Sequence, residues 1–132
     1  MTMPLGRLEF LYTQSDDLVG DLRYLVDVLG GEALFAIADG GTRVAMVTLG
    51  DGPAIVLTDH LDGDRPIHVY AVDDIEAAAA SFAERGWQRE RALELPMGPA
   101  ITFRTPGGLR FALVQLSRPF VLDSFRGRHD FG

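Results

Sequence analysis

Read from Asp17, the chain restarts itself 56 positions later, at Asp73, and this repeat limits the possible folds more than any other feature. Asp17 opens a helix-like stretch that stops at Leu29-Gly30, and Asp73 opens another that stops at Arg85-Gly86. The turn Gly50-Asp51-Gly52 has its counterpart in Pro106-Gly107-Gly108 at the same offset. One offset shared by several punctuation points predicts two supersecondary units of similar layout. A doubled unit has a seam, and small-molecule pockets tend to form at such seams.

Each unit reads as β-α-β-β-β. Arg7–Thr13 is a strand with Leu8, Phe10 and Tyr12 on one face. Ser15 or Asp16 is placed to cap the following helix, whose apolar stripe is Leu18, Leu22, Leu25, Val26 and Leu29. Strands follow at Ala33–Ala38, Arg43–Leu49 and Ala54–Thr58, separated by the turns Asp39-Gly40-Gly41 and Gly50-Asp51-Gly52. The second unit has a strand at Ile67–Val72 and an alanine-rich helix at Asp73–Arg85, capped by Asp73 or Asp74, with Ile75, Ala79 and Phe82 facing inward. Its strands are Gln88–Leu93, Ala100–Arg104 and Arg110–Gln115, and Leu61–Arg65 is the polar linker between units. The fold class is therefore α+β, with one domain over residues 1–118 built from modules at about 7–60 and 66–116. Residues 119–132 lose periodicity and read as a tail lying across the surface with a frayed end.

Composition narrows the function classes. No apolar run approaches the roughly 18 residues of a membrane span, and Met1–Gly6 lacks the basic and apolar regions of a signal peptide. The chain has no cysteine, which removes disulfides, zinc–thiolate sites and thiol nucleophiles. A cytoplasmic protein is the plain expectation. Its formal charge of −7 argues against a nucleic-acid partner and favours a cationic ligand. There is no Gly-x-Ser-x-Gly elbow and no Gly-x-Gly-x-x-Gly between strand and helix. The pairs Asp16-Asp17 and Asp73-Asp74 are accounted for by helix capping and the helix dipole.

The order of these landmarks resembles the vicinal oxygen chelate superfamily, also called the glyoxalase/bleomycin resistance protein/dioxygenase family. The resemblance is carried by Ser15-Asp16-Asp17-Leu18, Val28-Leu29-Gly30, Gly41-Thr42-Arg43-Val44-Ala45-Met46 and Leu49-Gly50-Asp51-Gly52-Pro53. Val72-Asp73-Asp74-Ile75 and Thr105-Pro106-Gly107-Gly108-Leu109-Arg110-Phe111 carry it in the second unit, and it covers about residues 7–116. It implies an incomplete barrel made by two βαβββ modules, with helices outside and a cup inside. It also implies a homodimer, and two open half-barrels per chain have strand edges that need cover. The apolar tail residues Phe120, Val121, Leu122 and Phe125 fit packing on a partner or on the chain's own sheet.

Metal-dependent members of that superfamily hold a divalent ion through His, Glu or Gln on the first and last strands of each module. Carried over by landmark, those positions fall here on Phe10, seven residues before Asp17; Val56, mid-strand; Ile67, six before Asp73; and Ala112, four after Gly108. None of the four side chains has a coordinating atom. Glu9 and His68 adjoin two of them, but neighbours in a strand point to opposite faces. The expectation is a cup without metal or other cofactor.

Strand alternation puts Leu8, Phe10, Tyr12, Ala54, Val56, Thr58, Ile67, Val69, Ala112 and Val114 on the cup side. Arg110 shares the phase of Ala112, and His60 follows the phase of Val56 to the mouth. Trp87, just past the second helix, is a candidate lid or wall, and Phe35, Met46 and Phe103 are further candidates. The candidate ligand-binding set is Phe10, Tyr12, Val56, Thr58, His60, Ile67, Trp87, Arg110 and Ala112. It is an apolar surface with a few polar handles, suited to an organic molecule of moderate size. His68 faces the helix layer as a structural group, and His129 is a solvated tail residue.

Three functions remain open at this level. The first is binding or sequestration of a small, possibly cationic aromatic molecule, as in the bleomycin-resistance proteins that the chain resembles. The second is a metal-independent enzyme using Tyr12, His60 or Arg110 as polar catalysts. The third, a metal-dependent lyase or dioxygenase, is opposed by the four apolar positions.

Overall fold

The computed structural model describes residues 5–61, 63 and 65–132. Asp62 and Asp64 of the expected linker therefore lie outside the described residues, as do Met1–Pro4. Two compact units emerge. One gathers Phe10–Pro66 with Phe125–Gly132, and the other gathers Ile67–Ser124 with the described residues before Phe10.

In the first unit β1 (Leu8–Gln14) leads to α1 (Leu18–Arg23), which runs on into a wider π-helical turn over Tyr24–Val28. Three strands follow, β2 (Glu32–Asp39), β3 (Thr42–Thr48) and β4 (Ala54–Thr58). The strand order is β2-β3-β4-β1. β1 and β4 are parallel, from Phe10 opposite Ala54 to Gln14 opposite Thr58, whereas β2–β3 and β3–β4 are antiparallel. Asp39 pairs with Thr42, so Gly40-Gly41 alone forms the hairpin, and both glycines take the positive φ that such a two-residue turn needs.

The cap of α1 is Asp17, not Ser15 or Asp16. The helix starts at Leu18, so Asp17 is the residue whose carboxylate accepts from the Gly20 amide in the first turn, at 3.2 Å. The Ser15 hydroxyl donates instead to Asp21, at 2.5 Å. Leu18, Leu22, Ala36, Ala45, Val47 and Leu57 form the core between helix and sheet, with Leu25 and Val26 packed against it. Leu29, expected on the same stripe, is 53% exposed. A π turn takes more residues per revolution than an α-helix, so the stripe rotates away from the sheet before Leu29 is reached.

The second unit repeats the plan. It contains β5 (Ile67–Ala71), α2 (Ile75–Glu84), β6 (Gln88–Leu95), β7 (Gly98–Arg104) and β8 (Arg110–Val114) in the order β5-β8-β7-β6. Asp74 caps α2 by accepting from the Ala77 amide at 3.1 Å. β5 lies parallel to β8, Ile67 opposite Arg110 and Val69 opposite Ala112. The core between α2 and its sheet is Val72, Ile75, Ala78, Ala79, Phe82, Ile101, Phe103 and Leu113. Phe103, a candidate for the opposite face, belongs to this cluster. Among the described residues, no helix is long and apolar enough to cross a membrane.

The tail lies across the surface as an arm, but its end is bonded and not frayed. After α3 (Phe120–Phe125) it runs along the outer edge of β2. The Gly127 amide donates to Leu34 O at 2.8 Å, the Ala36 amide to Arg128 O at 2.7 Å, and the Asp130 amide to Ala36 O at 2.6 Å. His129 is exposed and bridges Ala36 in parallel fashion. The periodicity vanishes in the sequence because this short stretch pairs along one edge only. The edge of β2 is thus covered by the chain's own end.

The Ala38 amide donates to Asp130 Oδ2 at 3.0 Å, and this bond is the main cause that holds the Asp130 carboxyl below its ordinary range, with Arg128 assisting. A carboxyl depressed in the folded state stabilises above its unfolded value, and that contribution is lost as pH falls through the folded one. Amide exchange at Ala38 should therefore be protected at neutral pH and lose protection below the usual carboxylate range. Asp130→Ala should remove that protection already at neutral pH, as read by hydrogen-exchange NMR.

Candidate functional site

Because β1 and β4 are parallel and in register, alternate residues of the first module separate cleanly. Leu57 and its row face the helix, so Phe10, Tyr12, Val56 and Thr58 face the other way. Val56 stands opposite both Tyr12 and Met46, and Met46 stands opposite Phe35, so one row crosses the sheet as Phe35, Met46, Val56 and Tyr12. Phe35 and Met46 thus take the side that the sequence left open for them. Phe125 meets Phe35 edge-on, with ring centroids 5.7 Å apart.

The polar handles of this module converge at one end of the row. His60 Nδ1 lies 2.5 Å from Thr58 Oγ1, and His60 Nε2 lies 3.4 Å from the Tyr12 hydroxyl. Thr58 is fully buried and His60 half-exposed. Burial pushes the Tyr12 phenol above its ordinary value, the negative charge of Asp59 adds to this, and a bond with the Thr58 hydroxyl works against it. Tyr12 is therefore a neutral phenol that can donate a proton or a hydrogen bond. Two proton arrangements satisfy the group. Thr58 donates to Nδ1 while Nε2–H faces Tyr12, or Nδ1–H donates to Thr58 while Tyr12 O–H donates to Nε2.

Three supporting residues had no signal in the sequence, because each acts through a partner distant along the chain. Gln14 Oε1 accepts from the Leu61 amide at 2.7 Å and fixes the segment just after His60. Arg43 Nε donates to Asp59 Oδ2 at 2.8 Å, next to His60 in sequence. That bond is the first cause that keeps the Asp59 carboxyl below its ordinary range.

In the second module Ile67, Val69, Ala112 and Val114 lie on the face opposite α2, with Arg110 beside Ile67 in the ladder. Thr102 and Ala100 extend that face across β7, opposite Ala112 and Val114. Trp87 is elsewhere. Its ring stacks on Phe82 at 4.3 Å and on Phe111 at 4.7 Å, and it packs against the core beneath α2. The apolar rings of that core outcompete a position over the other face. His68 lies on the helix side as expected, stacked on Phe111 at 5.3 Å, with its Nδ1 3.3 Å from Arg110 O.

The four positions where the resemblance implies metal ligands are all buried hydrocarbon: Phe10 is 7% exposed, Val56 5%, Ile67 4% and Ala112 5%. In each module the pair occupies the same ladder relation, since Val56 stands opposite the residue two beyond Phe10, and Ala112 opposite the residue two beyond Ile67. The residues present do not fit a divalent ion, which requires oxygen, nitrogen or sulfur donors.

No protein-family model matches the chain, and no curated protein matches it. Solved structures do. Methylmalonyl-CoA epimerase from Mycobacterium tuberculosis is similar with a TM-score of 0.74 at 18% identity, covering 91% of this chain and 94% of that one. The Streptomyces coelicolor methylmalonyl-CoA epimerase in complex with 2-nitronate-propionyl-CoA gives 0.64 at 18% identity, covering 86% and 99%. A hypothetical protein from Bacillus halodurans C-125 gives 0.69 at 16% identity, covering 83% and 93%. The likeness establishes the fold, which is the α+β glyoxalase/bleomycin resistance fold of two βαβββ modules.

The donor test has a direct experimental counterpart. Protein purified without chelator and dialysed against nickel, zinc, manganese or iron should retain no stoichiometric ion at these positions. Elemental analysis giving about one ion per chain, with NMR signals of Phe10, Val56, Ile67 or Ala112 broadened by paramagnetic nickel or manganese, would overturn this.

Proposed function

We propose that the chain binds a small organic molecule on the sheet face that carries Phe10, Tyr12 and Val56, without a divalent ion at the four superfamily ligand positions. The carrying observation is the hydrocarbon character of Phe10, Val56, Ile67 and Ala112. An apolar floor with a few grouped polar atoms suits an organic ligand. Tyr12, Thr58 and His60 supply its polar contacts, and Ile67, Ala112 and Arg110 belong to the same proposed set. A cytoplasmic location and a homodimer are part of this proposal.

The cationic aromatic ligand favoured by net charge loses its support. Trp87 is committed to the core under α2, and the similar structures bear the name of an enzyme of an acyl-CoA, which is an anion. Acyl thioesters are therefore the first probes, even though a charge of −7 works against their phosphates at long range.

A second proposal, metal-independent catalysis, draws on the contact between Tyr12, His60 and Thr58. A neutral phenol beside an imidazole is an acid and a base within reach of one substrate, the pairing needed to remove and return a proton at carbon. The epimerase names of the similar structures favour this class of reaction.

Phe10→Glu places an unpaired carboxylate in the floor and should weaken binding of propionyl-CoA or a neutral acyl analogue at least about tenfold, with circular dichroism showing the fold retained. Unchanged affinity would move the site elsewhere. His60→Ala separates the two proposals. Proton exchange at the acyl α-carbon in deuterated water should stop if His60 is catalytic, whereas a pure binder shows no such exchange in the parent either.

A further inference from the structure

The C-terminal segment reaches the surroundings of His60 through one arginine. Phe131 packs against the helix-side core of the first module, and the Arg43 guanidinium sits over its ring, 5.5 Å from the centroid. Arg43 Nε holds Asp59 Oδ2 at 2.8 Å. Asp59 Oδ1 is 3.8 Å from His60 Nδ1, and Asp59 immediately follows β4, one residue before His60. The same Nδ1 meets the Thr58 hydroxyl at 2.5 Å, and Nε2, across the ring, meets the Tyr12 hydroxyl at 3.4 Å. An arginine stacked on a ring has fewer rotamers to lose on forming an ion pair, so the ring prepares the bond that fixes the end of β4.

We propose that Phe131 is a positioning residue for His60, seating Arg43 so that Arg43 and Asp59 together hold the end of β4 and the imidazole attached there. The proposal rests on the reading of His60 as a functional side chain. It makes the end of the chain a determinant of the site in the first module. The segment Gly127–Asp130 is already bound along β2, and this delivers Phe131 to Arg43.

The test uses the whole, ligand-free protein, so its outcome is decided independently of any binding experiment. Phe131→Leu keeps the apolar packing and removes the ring face; Phe131→Tyr keeps the ring. Two NMR readouts are followed, the Asp59 carboxyl titration midpoint and the ring nitrogen signals of His60. The charged and titratable groups facing Asp59 are Arg43, His60 and Tyr12. In Phe131→Leu the Asp59 midpoint should rise towards its ordinary value, by at most about half a pH unit, the equivalent of the whole exposed cation–π contact. The two His60 nitrogen signals should converge as the ring samples more orientations, and Phe131→Tyr should match the parent. If Phe131→Leu lowers the melting temperature but leaves both readouts at parent values, Phe131 is only a packing residue and the proposal is wrong.

Discussion

In each module the first strand lies parallel to the last, and most other placements follow from that pairing. A parallel neighbour three strands on in sequence can be reached only by a crossover, which here comprises a helix and two antiparallel strands. The helix must cover one face of its sheet, because Leu18 and Leu22 in one module, and Ile75, Ala79 and Phe82 in the other, have no other apolar surface within their unit to bury. That leaves a second face whose residues are set by alternation alone. Phe10, Tyr12, Val56 and Thr58 gather there because register brings two strands into step, although nothing in their own sequence neighbourhoods links them.

This explains what the sequence revealed. Period-2 patterning and glycine turns mark strands wherever both neighbours exist, and Ala54–Thr58 was legible to the residue. The side was legible for β1, β4, β5 and β8 for the same reason, including His68 against the helix layer, but not for β7, where Phe103 faces the helix. Trp87 was not legible, because it follows a helix and has no strand phase to read; its position is chosen by Phe82, Phe103 and Phe111, which come from three separate elements. The tail was not legible either. A strand paired on one side only, next to solvent, needs no alternation. The Arg43–Asp59 pair joins two strands through side chains at the end of their ladder, where spacing along the chain carries no information.

The repeat itself proved looser than its sequence offset implied. Asp17 and Asp73 are 56 positions apart, but the cap equivalent to Asp17 is Asp74. Phe10 and Ile67 occupy equivalent ladder positions one residue off that offset, whereas Val56 and Ala112 keep it. The slip falls within the helix, because the first module, with its π turn over Tyr24–Val28, has one more residue between the cap Asp17 and the C-cap Leu29 than the second has between Asp74 and Arg85. A ligand position transferred from landmarks within one module is therefore safer than one transferred from the repeat across modules.

Comparing equivalent positions also shows how the two halves have diverged. Tyr12 and Thr58 in the first module correspond by ladder to Val69 and Val114 in the second, and His60 corresponds to Leu116. The first module has kept hydrogen-bonding side chains where the second has hydrocarbon. A buried hydroxyl is tolerable only if it is bonded, and the first module meets that condition internally, Thr58 to His60 and His60 to Tyr12. Any one of the three made apolar would leave a neighbour short of a partner, so the three side chains form a unit that is retained or lost together. The second module has no such triad at the equivalent positions, and its face carries Thr102 and Arg110 instead. Among the positions compared, the mutually bonded polar group is thus a feature of the first module.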